Sequence, residues 1–436
     1  MSAGADRVLV GSAVVDITPS VGSAMAGFAV RVQPAQDVHD PLLATAVTVA
    51  SGTSISVIVA CDLISLDPPD AAELSRRIAD DIGVPAESVA LTVSHTHGGP
   101  KVKAVGFGRP RDEQYVQTAF AGIVDAARLA WKSRRPATLR AGAEELRTVA
   151  HNRRGTGVID PLVIAAQWAD DSGEPIATLF SHACHPVTLG PDNLSITADW
   201  PGTARRQLQQ RTGGDVVFVQ GCCGQLNTGH LATDSFSLAA DPNRSFAQAE
   251  RIGKSVSDAA ARALNGAAPV PIGSVQARSA RVYLPVTPAP DAAALDEWVA
   301  GWRRDIAAAT GPERGLMEVW IQWAEYWRDR PSPGGIEVPI SVHRWGDFGI
   351  VTLPGEPFVE FALDLRRRLN RPNLLVMGYT GGVPGYIPLR SEDYAAGGYE
   401  IEMAYRSSRL FSGPYTSDAG PTLLEAAVEL AAECGL

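Results

Sequence analysis

The sequence has no apolar run approaching the ~18 residues needed to span a membrane. Its opening stretch, MSAGADRVLVGSAVVDITPS, lacks a charged segment followed by an apolar one. Neither a membrane anchor nor a secretory leader is predicted. Cysteine is scarce and odd in number: Cys61, Cys184, Cys222, Cys223 and Cys434, none at C-x-x-C spacing. A disulfide framework is unexpected, and reduced thiols in a cytoplasmic protein are predicted. There is no basic run, and the net charge is −10 over 436 residues. That balance argues against nucleic acid and anionic membranes as partners and leaves a small-molecule substrate. No repeat or low-complexity linker divides the chain. With 45% hydrophobic and 20% charged residues it suits a large packed core and not disorder. A single domain over residues 1–436 is expected.

What is present is a series of short apolar, β-branched runs. RVLVGSAVVDI, AVTVASGTSISVIVACDLISL, SVALTVSH, PLVIAAQWA, IATLFSHACH, DVVFVQG, SVQARSARVYLPV, FGIVTLPG and LLVMGYTG each read as strands, most ending in Gly, Asp, His or Pro. Helical patterns alternate with several of them, as in PDAAELSRRIADDIG and DEQYVQTAFAGIVDAARLAWKS. An α/β fold is predicted, as a mixed α+β layered sheet with flanking helices. At about residues 290–330 lies a Trp-rich helical segment, two amphipathic helices around TGPERG. Trp320, Trp323 and Trp327 share one helical stripe. The stripe reads as core packing or a homo-oligomer interface, or else as a wall over a substrate pocket.

Histidine is also scarce, at eight residues, yet two of them flank one threonine in VSHTHGGP. His95 and His97 follow an apolar run and would point the same way on an extended chain. His182 and His185 follow another run, in SHACHPVTLG. Asp62, Glu356 and Tyr386 follow three more. Sheet folds of this kind collect ligand sites beyond strand ends. Neutral imidazole is the commonest metal ligand, and two histidines with one carboxylate form a known catalytic zinc set. A His/His/Glu metal site is therefore expected. The run FVQGCCGQLNTGH, Phe218 to His230, opens into a Gly-bracketed turn. Its vicinal cysteines read as buried packing residues rather than nucleophiles. The turn is expected to offer backbone N–H groups and the Asn227 amide to the site.

With these residues in view, the chain resembles the neutral (non-lysosomal) ceramidase family. The likeness runs from VDITPSVGSAMAGF to GYIPLRSEDYAAGGYE. It rests on Ser94–Pro100, on HNRRGTGVIDP, on His185–Thr188, on Gly355–Glu356 and on Tyr386, Tyr394 and Tyr399, in that order. The resemblance implies one zinc ion per chain held by His95, His185, Glu356 and Tyr386. It implies that His97, Arg153 and Tyr399 contact substrate or stabilise the transition state. Two departures stand out. Asn227 occupies the place of the family's catalytic serine, with Gln225 at the motif's acidic position. The family's ceramidases also continue into a C-terminal β-sandwich, whereas this sequence ends on PTLLEAAVELAAECGL. The fold and metal site carry over better than the ceramide substrate.

The leading expectation is a zinc-dependent hydrolase of a small soluble amide, such as an N-acyl amino acid or lactam-like metabolite. A zinc-bound water would attack the carbonyl, Tyr386 and His97 would steady the oxyanion, and Arg153 would clamp a substrate carboxylate. The same site would serve an ester or lactone hydrolase, or a biosynthetic cyclase or acyl-transfer enzyme. A non-catalytic metal-binding protein is the reading from another class.

Overall fold

The computed structural model describes residues 7–239, 241–309 and 313–436. Residues 1–6 of the expected leaderless start, and 310–312 of the TGPERG turn, lie outside the described residues. No described helix is long and apolar enough to cross a membrane.

The apolar runs form two sheets packed face to face, with helices outside each. The larger sheet has nine strands. Its path runs Asp215–Gln220, Pro175–His182, Leu162–Asp170, Arg135–Glu145, Leu9–Asp16, Leu43–Ser51, Ser54–Cys61, Val89–Val93, and Ala268–Val270 pairs separately with Arg135–Glu145. The pairs at the two ends of this path are parallel and those between are antiparallel. The smaller sheet runs Val275–Pro285, Gly335–Trp345, Phe348–Thr352, Leu375–Met377. Alternation of side chains along each strand explains the layers. Val216 and Phe218 join the core under helices Pro68–Ile82, Glu113–Lys132, Asp199–Thr212 and Phe246–Asn265. Val217 and Val219 face Trp345, Ile350 and Met377 of the second sheet. The far face of that sheet packs on helices Val359–Arg368 and Ala419–Glu433. The expected mixed, layered architecture is therefore present. Strands buried on both faces read as unbroken apolar runs. Arg135–Glu145 and Gly335–Trp345 were not expected, because polar residues interrupt both.

The Trp-rich segment folds as the two helices Ala292–Ala308 and Glu313–Trp327. The expected stripe divides. Trp323 and Trp327 are buried in a small core with Phe107, Leu295 and Val299. Trp320 lies at its edge, on the wall of a cavity described below. Arg406 sits in an aromatic box, 5.1 Å from the Trp298 ring centroid and 5.2 Å from that of Trp320. This cation–π contact ties the hairpin to the turn Ala404–Ser407.

Between the sheets lies a buried polar chain. Trp345 Nε1 donates to Ser56 Oγ at 2.9 Å, so the Ser56 hydroxyl hydrogen is free for His343 Nδ1 at 2.9 Å. His343 Nε2 then donates to Ser341 Oγ at 3.2 Å, and Ser341 lies 2.6 Å from Thr352 Oγ1. Every link fits a neutral imidazole. Burial lowers the His343 pKa to about 4. In the unfolded chain it returns to ~6.5, so that state binds more protons between these values. The stabilisation from neutral His343 is complete above pH ~6.5 and is lost as pH falls toward 4, by roughly 3 kcal/mol. Urea unfolding at several pH values checks this. Wild type should lose stability more steeply across that window than His343→Asn, and parallel profiles would contradict it.

Candidate metal centre and active site

The site lies where strand ends from both sheets meet. Val93 N donates to Tyr379 O at 3.2 Å and Gly381 N to Leu91 O at 2.8 Å, which joins the two exits. His95 follows the strand Val89–Val93 in the left-handed region, at φ 66°, and Tyr379 follows Leu375–Met377 at φ 55°. Such backbone costs of order 1–3 kcal/mol and persists where surrounding contacts enforce it. His185 follows Pro175–His182, and Glu356 follows Phe348–Thr352 in register with Tyr386. His95, His185 and Glu356 are 4%, 1% and 8% exposed.

The hydrogen bonds assign the tautomers. His95 Nδ1 lies 2.5 Å from Ile64 O. His185 Nδ1 lies 2.7 Å from Cys223 O and 2.9 Å from Leu226 O. A carbonyl only accepts, so each Nδ1 carries the hydrogen and each Nε2 presents a lone pair. Both lone pairs converge on Glu356 Oε2, at 3.4 Å from His95 and 3.1 Å from His185. Burial lowers the His95 pKa to about 3. At neutral pH the centre thus gathers acceptors around an anionic carboxylate, with no hydrogen between them. A cation resolves that conflict. Ligand distances of ~2.0–2.1 Å give a tetrahedral edge of roughly 3.3 Å, which the observed separations match. The residues present therefore fit a single zinc-like ion.

The expected second role for His97 needs one addition. One ring nitrogen from each of His95, His97 and His185 lies within 4.8 Å of the others, and His97 Nε2 is 3.3 Å from His95 Nε2. His97 can therefore reach the ion as well as a substrate. Its Nδ1 has no partner. Gly27, at φ 103°, makes room for it, since a Cβ there would stand 2.8 Å from the imidazole.

Gln220 supplies the link that the sequence reading missed. Its Nε2 donates to Ser94 O at 3.2 Å and to Cys184 O at 3.1 Å, and its Oε1 accepts from Gly221 N at 3.0 Å. The residues just before His95 and His185 are thereby pinned to one buried amide. Tyr379 was also missed. Its hydroxyl accepts from Cys223 Sγ at 3.2 Å and lies 3.5 Å from His185 Nε2. Its place after an apolar run, in MGYTGG, was the available signal.

Of the remaining expected residues, Tyr386 and Tyr399 both reach the site. Their rings are 5.9 Å apart, and Tyr386 stacks on His185 at 6.4 Å. Burial and Glu356 raise the Tyr386 pKa, which keeps its phenol protonated. Arg153 is present but not free to clamp a ligand. Its Nε donates to Glu400 Oε1 at 2.7 Å and its Nη2 to Gly224 O at 2.9 Å. It lies 5.5 Å from the Tyr386 ring and supports it. Asn227 departs from expectation more fully. It is fully buried, its Nδ2 donates to His230 O at 2.7 Å, and its Oδ1 accepts from Gly229 N at 2.9 Å. Its amide closes its own turn and does not line the cavity. Gln225 likewise bonds Glu360 and Val359 N. Asp62 pairs with Arg205 at 2.7 Å. His182 bonds Leu162 O rather than the metal ligands. The cysteines are free and buried, and burial raises the Cys222 and Cys223 thiols, so neither is a ready nucleophile.

Glu356, His95 and His97 form one end of a cavity of ≈ 550 Å³. Tyr386 and Tyr399 line it too, and the helix Glu313–Trp327 closes one side through Leu316, Val319 and Trp320. Trp320 of the Trp-rich segment therefore lies on a cavity wall, and Trp323 and Trp327 in a core.

No family model matches the sequence, and no curated protein does. Solved structures do match. The crystal structure of neutral ceramidase from Pseudomonas aeruginosa superposes with a TM-score of 0.75 at 18% identity, over 98% of this chain and 74% of that one. A ceramidase complexed with C2 gives 0.74 at 20% identity, over 99% of this chain and 76% of that one. The chain thus has a neutral-ceramidase-like fold, as the sequence resemblance implied.

Two variants separate support from chemistry. Gln220→Leu should weaken metal affinity by roughly 10–100-fold, the usual effect of removing an outer support. A metal-binding titration of the folded variant checks it, and unchanged affinity would show that Gln220 holds nothing. Cys222→Ala/Cys223→Ala should keep its metal and turn over within about tenfold of wild type. A loss beyond a hundredfold would return a thiol to the chemistry.

Proposed function

We propose that the chain is a zinc-dependent hydrolase of a small amide. The observation that carries this reading is the convergence of two imidazole lone pairs and the Glu356 carboxylate at the end of a cavity. The ceramidase-like fold supports the choice of an amide bond. His95, His185 and Glu356 would hold the ion, with Tyr386 as the fourth protein group. A zinc ion there would supply a Lewis acid and would acidify water at neutral pH. His97 reaches the cavity and hydrogen-bonds the carbonyl oxygen as charge develops on it. One such donor is worth roughly 2.7–4 kcal/mol. Arg153, held by Glu400, keeps Tyr386 and Tyr399 in place. A cavity of ≈ 550 Å³ lies in the ~300–1,000 Å³ range of small-ligand sites.

Purified protein should contain one zinc per chain and hydrolyse a member of a panel of N-acyl amino acids and lactams. A chelator should abolish turnover, and added zinc should restore it. His95→Ala and His185→Ala should each lose both metal and activity. Elemental analysis showing full zinc in both variants would contradict the ligand assignment. Turnover of lactones or esters alone would move the reading to another bond.

A further inference from the structure

The cavity beside the metal centre carries unbalanced charge that hydrolysis of a neutral amide does not use. The acids on its wall have partners. Glu400 is held by Arg153 at 2.7 Å and Arg154 at 3.0 Å, Glu318 by Arg314 at 3.0 Å, and Glu356 faces the histidines. The cations on the same wall are Arg31, Lys101, Lys103 and Arg109. Among the described residues none of them forms an ion pair with a carboxylate.

Arg109 is exposed to solvent, and the other three, buried or half-buried, differ in how many donors remain. Arg31 bonds the carbonyls of Ala26, His97 and Asn193, and so braces the loops. Lys101 bonds the carbonyls of Phe107 and Arg109 across its own loop. Lys103 uses one of its three N–H donors, on Val383 O at 3.1 Å. Its backbone is firmly placed. Asp67 Oδ2 accepts from Ala104 N at 2.6 Å and Val105 N at 3.0 Å. Arg409 Nη1 donates to Ala104 O at 3.1 Å and to Gly106 O at 2.9 Å. The side chain also lines the same cavity as His95 and Glu356.

We infer that Lys103 docks a carboxylate carried by the substrate next to its scissile amide, which makes the preferred substrates N-acyl amino acids. The apolar wall formed by Phe107, Leu316 and Trp320 then faces the acyl chain. Lys103 takes the part that the sequence suggested for Arg153, whose guanidinium Glu400 already occupies. The inference rests on this cavity being the substrate site proposed above.

The test is a binding ratio. N-octylsulfonylglycine and its methyl ester are sulfonamide analogues that differ in one negative charge. Isothermal titration into the zinc-loaded protein should show the acid binding about 10–100-fold more tightly than the ester, as expected of a charge-assisted bond. In Lys103→Met the two should bind within about threefold of each other, and Lys103→Arg should keep the preference. Lys103→Gln replaces the Met variant if that one does not fold. Equal binding of acid and ester by wild type overturns the inference. So does a preference that survives in Lys103→Met, which would place the carboxylate on the metal. Acid-selective binding through Lys103 without turnover of N-octanoylglycine supports the inference and counts against hydrolysis instead.

Discussion

The side-chain amide of Gln220 is the point on which the centre depends. Ser94 follows an edge strand of the nine-stranded sheet and Cys184 follows the strand next to the opposite edge, and the carbonyls of both accept from this one group. Gln220 O also accepts from Gly378 N at 3.0 Å, which brings in the exit of the second sheet. All three contacts are buried, where an unpaired polar group costs roughly 1–3 kcal/mol. The network is therefore held in a single arrangement, and the strained backbone at His95 and Tyr379 sits inside it. A ligand set drawn from separate parts of the chain needs such a clamp, because no short sequence motif holds it together.

Electrostatics follow from that geometry. Once backbone carbonyls fix both Nδ1 hydrogens, the Nε2 atoms must point lone pairs at Glu356. Negative potential is therefore concentrated among buried groups. The positive groups around it act at longer range. Arg153 and Arg154 neutralise Glu400, while Lys103 remains without an ion pair on the wall. The site thus combines a cation-seeking end with an anion-seeking flank. The helix Glu313–Trp327, latched through Arg406, adds an apolar wall to the same cavity.

Much of this was legible in the sequence, and the unread parts have physical reasons. Strands buried between layers announce themselves as continuous apolar runs, so Asp215–Gln220 and Val89–Val93 were readable. Arg135–Glu145 was not, because only Leu139 along it is buried. His95, His185 and Glu356 stood out as polar residues where apolar runs stop. Gln220 ends such a run too, but its role depends on which loops lie across the sheet, and no spacing reveals that. Arg153 and Asn227 were sensible choices by residue type, yet their partners decide their roles. The Glu400 carboxylate that takes up Arg153 comes from 247 positions away. The two atoms that take up the Asn227 amide come from the next three residues. The Trp stripe could not reveal its own division, since one helix face meets both a core and a cavity.

The central claim is that one metal ion is bound by nitrogen and oxygen from these strand ends. X-ray absorption at the zinc edge on the loaded protein tests it most directly. The account predicts a first shell of nitrogen and oxygen at ~2.0–2.2 Å, with the outer scattering of at least two imidazole rings. A sulfur shell near ~2.3 Å, or a shell without imidazole scattering, would contradict it.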